Sequence, residues 1–153
     1  DKQLKLGKFW FGSVRRKMNF EVEKLVLPHR CSTLRAAYTK GPWYASSDVY
    51  FISRPKPPYT LWTLLGLLNS APYFTWLSYK GKRKGNLLEL YSTPLKHLPI
   101  PDIPHNTQIR IDALAQNIFD QKKKNPHANI EALQKQLDAL VTALFLPGSN
   151  QKL

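Results

Sequence analysis

The side chains of this sequence best suited to chemistry are cationic and lie in three clusters. The clusters are Arg15-Arg16-Lys17, Arg30 with Arg35, and Lys80 with Lys82-Arg83-Lys84. Residues 1–100 hold 17 basic and 5 acidic side chains, a net charge of +12, whereas residues 101–153 hold 6 and 5. Cations at this density attract polyanions, of which nucleic acid is the commonest in a cytosol. The charge pattern therefore predicts a nucleic-acid-binding surface in the first hundred residues.

Two other partners or roles fit a basic chain, an anionic membrane surface and plain hydration. Membrane-surface helices concentrate their cations on one helical face, but these clusters fall outside the helical patterns and are predicted to lie in loops. The longest apolar stretch, residues 61–77, is interrupted by Asn69, Ser70 and Pro72 and is too short to span a bilayer. Three clusters among so few acids favour a binding surface over ordinary solvated charges.

The sequence offers no catalytic, metal or cofactor site. Its four histidines lack the spacing of zinc ligands, and its single cysteine, Cys31, has no companion. The phosphate-binding and nucleophile motifs that require patterned glycines do not occur among its seven glycines. The lone cysteine also favours a reducing, cytoplasmic compartment.

One short segment, Lys56-Pro57-Pro58-Tyr59, approaches a catalytic motif. Adenine-N6 methyltransferases use Asn/Asp-Pro-Pro-aromatic, in which the first side chain accepts a hydrogen bond from the flipped base and the aromatic ring stacks on it. Lys56 cannot accept that hydrogen bond at neutral pH. The segment is therefore interpreted as a linker between a strand and a helix, and catalysis through it is the alternative.

The 153 residues are 42% apolar, enough for the core of a folded domain. Alternation over residues 20–27 predicts a strand, and the apolar run of 48–53 predicts a central strand. Between them, residues 35–39 and 43–45 flank Lys40-Gly41-Pro42 and are predicted to form a hairpin.

Helical spacing dominates the rest of the chain. Residues 61–68 and 71–80 are predicted helices, the second with Tyr73, Phe74, Trp76 and Tyr79 as core or shelf residues, and residues 82–85 a turn. Apolar stripes over 111–119 and 130–144 predict two further helices. The expected fold class is α+β, a mixed module over 1–103 and an antiparallel helical hairpin over 104–153 that packs on it or on a partner.

Four blocks of sequence follow one another in a specific order. They are PWYASSDVYFI (42–52), LLGLLNS (64–70), GKRKGNLLELY (81–91) and LKHLPIPDIP (95–104). Together they strongly resemble the TaqI-like C-terminal specificity domain over roughly residues 10–104. The pattern of residues 112–145 is similar to the helical tail that closes many of these enzymes.

The resemblance implies a target recognition domain of an adenine-N6 DNA methyltransferase, a class that includes fused type IIG restriction enzymes. Its implied partners are double-stranded DNA and an upstream catalytic domain of the same polypeptide, which would hold S-adenosylmethionine. A chain that begins at Asp1 and has Met18 as its only methionine is expected to be part of a longer protein. Whether the parent also cleaves DNA is left open.

The DNA-binding candidates divide by chemistry into phosphate ligands and base readers. Phosphate or groove contacts are expected from Arg15, Arg16, Lys17, Lys82, Arg83 and Lys84. Base contacts are expected from Arg30, Ser32, Thr33 and Arg35, because arginine reads guanine bidentately and hydroxyls donate or accept. Simple turn chemistry is the alternative for both hydroxyls, and Asn86 is either a base contact or a turn residue.

Three rival functions remain at this stage. They are a catalytic methyltransferase fragment that uses residues 56–59, a general RNA- or anion-binding module, and a docking module that self-associates through its C-terminal helices.

Overall fold

A computed structural model describes residues 20–33, 35–45 and 48–146. Its strands and helices alternate along the chain, with the last two helices the longest. In order they are β1 Lys24–Pro28, β2 Arg30–Cys31, β3 Ala37–Thr39, β4 Val49–Ile52, α1 Leu61–Leu68, α2 Ala71–Lys80, β5 Lys82–Lys84, β6 Leu87–Glu89, α3 Ser92–Lys96, α4 His105–Lys124 and α5 Glu131–Ala143. The predicted α+β class is confirmed.

The strands form two small antiparallel sheets. The first sheet has the order β3-β1-β4 and the second the order β2-β6-β5. Leu25 and Leu27 of β1 are fully buried against α1, because alternate residues of a strand point to one face.

The predicted hairpin between residues 35–39 and 43–45 is wrong. Strand β3 pairs with β1 in the register Lys24↔Thr39, and residues 43–45 form no strand. Lys24 stabilises this arrangement, since its Nζ donates to the carbonyls of Phe20, Val22 and Gly41 at 2.6–3.3 Å.

The strand at 49–52 lies at an edge of the described sheet, so its prediction as a central strand is also wrong. The Phe51 ring packs against the rings of Phe20 and Trp43, which together form an aromatic cluster. That cluster accounts for a run of apolar residues on both faces of an edge strand.

Helix α1 begins with a capping box and is held by α4. Thr60 Oγ1 accepts from the Thr63 N–H at 2.9 Å, and the Asp112 carboxylate accepts from both threonine hydroxyls at 2.8 and 2.6 Å. A side chain of α5 caps the N-terminus of α2: the Asp138 carboxylate accepts from the Ala71 N–H at 2.9 Å. Ser70 occupies the N-cap position of α2, but its hydroxyl donates to the Leu67 carbonyl rather than capping the helix.

The C-terminal helices share a core with α1 and α2. The buried side chains of this core are Leu67, Tyr73, Ile103, Ile111, Leu137 and Val141. A Cβ added at Gly66 would lie 2.7 Å from Ile111 Cγ2, so α1 and α4 approach closely at this glycine. The boundary between residues 103 and 104 stays a prediction.

Candidate nucleic-acid interface

The cationic cluster at residues 82–84 is a β-strand rather than the predicted turn. Strand β5 pairs with β6 in the register Lys82↔Glu89, Arg83↔Leu88 and Lys84↔Leu87, which leaves a two-residue loop of Gly85 and Asn86. Gly85 has φ of +59°, the conformation that a tight hairpin of this kind requires at its first loop position. The lysines therefore stand on a short ribbon whose turn is set by glycine.

This ribbon projects from the core. All six residues from Lys82 to Leu87 are exposed, and none of the three cations forms a salt bridge with a described residue. The ribbon is anchored at its base, where Leu88 and Leu90 are buried. Gly81 permits that anchoring, because a Cβ there would lie 2.6 Å from Leu88 Cδ1.

Arg30 joins the ribbon from the other side of β6. The registers Arg30↔Glu89 and Lys82↔Glu89 put Arg30, Glu89 and Lys82 in one row across three strands. Directly opposed residues of neighbouring strands share a face, so the row presents two cations with a carboxylate between them. The second sheet thus brings together candidates that lie 52 residues apart in the sequence, Arg30 and Lys82.

Glu89 is a buried carboxylate with two donors. Only 5% of the residue is exposed, Arg30 Nε donates to Oε1 at 2.8 Å, and the Tyr91 hydroxyl donates to Oε2 at 2.7 Å. The hydrogen bond from Tyr91 and the pairing with Arg30 outweigh desolvation and hold the pKa of Glu89 below its ordinary value. The carboxylate is therefore ionised at neutral pH and constrains the Arg30 side chain.

A set of aromatic contacts fixes the position of β2. The His29 ring packs edge-on against Tyr50 and Tyr91, with centroids 5.6 and 5.8 Å apart. The Tyr50 hydroxyl donates to the Leu90 carbonyl at 2.9 Å. Arg30 follows His29 directly and is therefore carried on a rigid backbone.

The remaining base-contact candidates lie beyond this row. Ser32 and Thr33 are exposed in a bend that follows β2. Arg35 is exposed at the mouth of a cavity of about 730 Å³, which it lines together with Lys122 and Lys123 of α4. Arg35 is thus placed beside the helical hairpin, whereas Arg30 is placed on the second sheet.

The first basic cluster, Arg15, Arg16 and Lys17, lies outside the described residues. Asn86 occupies the exposed loop of the ribbon, where both its turn role and a base contact are possible for its side chain.

Two residues of this site were not among the sequence candidates: Glu89, which accepts from Arg30, and Tyr91, which donates to Glu89. The prediction of Tyr79 as a core or shelf residue is wrong, since the residue is 85% exposed. The alternation Leu88-Glu89-Leu90-Tyr91 carried a signal, because it puts Glu89 and Tyr91 on the face opposite two leucines.

The segment of residues 56–59 has the geometry of a linker. The Tyr59 hydroxyl donates to the Pro101 carbonyl at 2.9 Å, and the Pro58 carbonyl accepts from Gln108 Nε2 at 2.7 Å. Both interactions tie the segment to the start of α4. Half-buried and hydrogen-bonded, Tyr59 is not presented for stacking on a base.

A metal site is not found in the described ranges, where no group of three histidine, cysteine, aspartate or glutamate side chains is arranged to hold an ion. Burial raises the pKa of the Cys31 thiol, as expected for a packed rather than a reactive cysteine. Among the same residues, no helix has the length and apolarity needed to cross a bilayer.

Comparison with known protein families gives a match over the first two thirds of the chain. Residues 3–100, well over half of the chain, match the model of the TaqI-like C-terminal specificity domain. The match contains both sheets and helices α1 to α3. No curated protein matches the chain.

Proposed function

We propose that this chain, which belongs to the family of TaqI-like C-terminal specificity domains, recognises a sequence in double-stranded DNA. The observation that carries the proposal is the β5–β6 ribbon, with three exposed cations of which none forms a salt bridge with a described residue. A two-stranded ribbon fits the major groove of B-DNA, which is about 12 Å wide.

The proposed contacts follow from placement and charge. Lys82, Arg83 and Lys84 neutralise phosphates, which gives affinity without sequence choice. Asn86, at the tip of the ribbon, and Arg30, in the adjoining strand, are positioned for base edges. Ser32 and Thr33 extend the surface beyond β2, and the remaining candidates Arg15, Arg16, Lys17 and Arg35 stay proposals.

The parent protein is proposed to be an adenine-N6 DNA methyltransferase of a restriction-modification system, with type IIG enzymes included. Family membership supports this context. In this proposal S-adenosylmethionine and the catalytic side chains belong to an upstream domain, and this chain supplies target choice. The linker geometry of Tyr59 disfavours catalysis through residues 56–59.

Binding of the protein to duplex DNA, hairpin RNA and heparin at matched salt tests the proposal. We expect duplex DNA to be preferred, with log affinity falling linearly against log salt by about 0.9 for each phosphate neutralised. Equal affinity for all three polyanions would favour a general anion-binding module. Saturable binding of S-adenosylmethionine by this chain would favour the catalytic alternative.

A further inference from the structure

The only salt bridge of the second sheet within the described residues is an unusual one for a nucleic-acid surface. Residues 1–100 have 5 acidic side chains, and Glu89 is the most buried of those in the described ranges. Its carboxylate forms a salt bridge with Arg30, a cation of the proposed interface. A carboxylate at this place reduces attraction to phosphate, and its burial costs free energy unless it is paired. Its presence therefore calls for a role other than non-specific affinity.

The geometry of the pair indicates that role. Glu89 engages Arg30 through Nε, while 56% of the Arg30 side chain remains exposed. Among the described residues, no other hydrogen bond to this guanidinium is found, so its terminal Nη groups keep their donors. The side chain is thus held at one edge and open at the other.

Positioning of this kind suits a base better than a phosphate. Phosphate contacts depend mainly on net charge, and the carboxylate 2.8 Å away offsets the charge of Arg30. A guanine edge instead presents two neutral acceptors, O6 and N7, that match two parallel N–H donors. Lys82, Arg83 and Lys84 form no such salt bridge with a described residue, so their charge is less offset and suits phosphates.

We infer that Arg30 reads a guanine through its Nη groups and that Glu89 and Tyr91 are positioning residues that fix its direction. The inference rests on the proposed function, because it names the base that one side chain of the DNA interface selects. Tyr91 is included because its hydroxyl donates a hydrogen bond to the second carboxylate oxygen of Glu89.

The test begins with a selection of preferred sites from a randomised duplex library by the protein. Each guanine of the selected site is then replaced by 7-deazaguanine, which lacks the N7 acceptor but still pairs with cytosine. We expect one position to lose about 5- to 150-fold in affinity, the range of a bidentate arginine contact. Arg30→Met, which keeps much of the side chain but has no donor, should bind both duplexes equally.

Three further variants separate positioning from charge and from folding. Glu89→Ala should diminish the 7-deazaguanine effect, and Glu89→Gln, which retains an acceptor for Arg30 Nε, should restore part of it. Lys82→Ala should weaken binding to all duplexes alike and leave the effect intact.

The possible failures are distinguishable. If the protein binds no duplex or selects no site, the proposed function itself fails. If it selects a site but Arg30→Met keeps every 7-deazaguanine effect, or the site contains no guanine, the inference is wrong and the proposed function stands.

Discussion

The backbone carbonyl of His29 accepts a hydrogen bond from the Leu90 N–H at 2.8 Å. The His29 N–H donates in the opposite direction, to the Asp48 carbonyl, also at 2.8 Å. His29 is therefore the residue at which the chain leaves its pairing in the first sheet and enters the second. Since β2 is only two residues long, this junction determines where Arg30 is presented.

The ribbon cations supply the phosphate contacts of the proposed interface. Replacement of Lys82, Arg83 and Lys84 by alanine should lower the slope of log affinity against log salt by up to about 2.7, or 0.9 for each cation. The melting temperature should change little, because all three side chains are exposed. Salt titration of duplex binding measures the slope.

A variant with the same loss of charge provides the control for this prediction. Arg110, Lys124 and Lys135 are exposed on the C-terminal helices, and their replacement by alanine should leave the slope nearly unchanged. Equal slopes for the two triple variants would remove the ribbon from the interface.

Glu89 should make stability depend on acid. Its folded pKa lies below the ordinary value of 4.5, first because of the Tyr91 hydrogen bond and then because of Arg30. A depressed folded pKa contributes stability that is present above pH 4.5 and is lost as the pH falls through the folded pKa. Melting temperatures of the wild type and Glu89→Gln should therefore differ at pH 7 and converge below pH 4.5.

Tyr91→Phe tests the cause of this dependence. Without the tyrosine hydroxyl the strongest interaction with the ionised carboxylate is lost, so the acid-dependent part of the stability should shrink. A gap between the wild type and Glu89→Gln that stays constant from pH 7 to pH 3 would contradict the assignment.

Gly66 allows α1 and α4 to pack closely. Gly66→Ala should destabilise the protein by up to about 2 kcal/mol, since crowding of the buried Ile111 costs about 1–3 kcal/mol and alanine recovers about 1 kcal/mol in helix propensity. Chemical denaturation measures the difference. Gly41→Ala is the control, because a Cβ there meets nothing within 4 Å; equal stability of the two variants would argue against close packing.

Asp112 connects the start of α1 to α4. Asp112→Ala removes the acceptor of the Thr60 and Thr63 hydroxyls, and Thr63 is fully buried, so we expect a loss of about 2 kcal/mol in unfolding free energy. Asp120→Ala, on an exposed position of the same helix, should change stability by less than about 0.5 kcal/mol. A similar small effect of both substitutions would show that the bridge contributes little.

The helices could be predicted from the sequence because their signals are local. The apolar stripe of 61–68 and the break at Asn69-Ser70 fix α1 and α2 at Leu61–Leu68 and Ala71–Lys80, as predicted. Asn129 contributes a local hydrogen bond at the start of α5, since its side-chain oxygen accepts from the Glu131 N–H at 3.0 Å. Capping and periodicity act within a few residues and are visible in any one stretch of sequence.

Strand pairing could not be predicted from the sequence because it depends on partner strands elsewhere in the chain. Nothing near residues 82–84 marks three consecutive cations as a strand, and pairing with β6 decides it. Likewise, Arg30 and Glu89 are 59 residues apart, so the carboxylate that holds this arginine was not foreseen. The cationic character of this surface was predictable from the charge pattern, whereas the mutual placement of its side chains required the fold.

The six consecutive exposed residues of the ribbon, 82–87, carry surface side chains that are separate from the side chains of the core. Positions 82, 83, 84 and 86 contribute backbone pairing and a turn but no buried side chain. A combinatorial library at these four positions would therefore leave the core untouched in every member. Binding preference at this ribbon is free to diversify without compensating changes elsewhere in the protein.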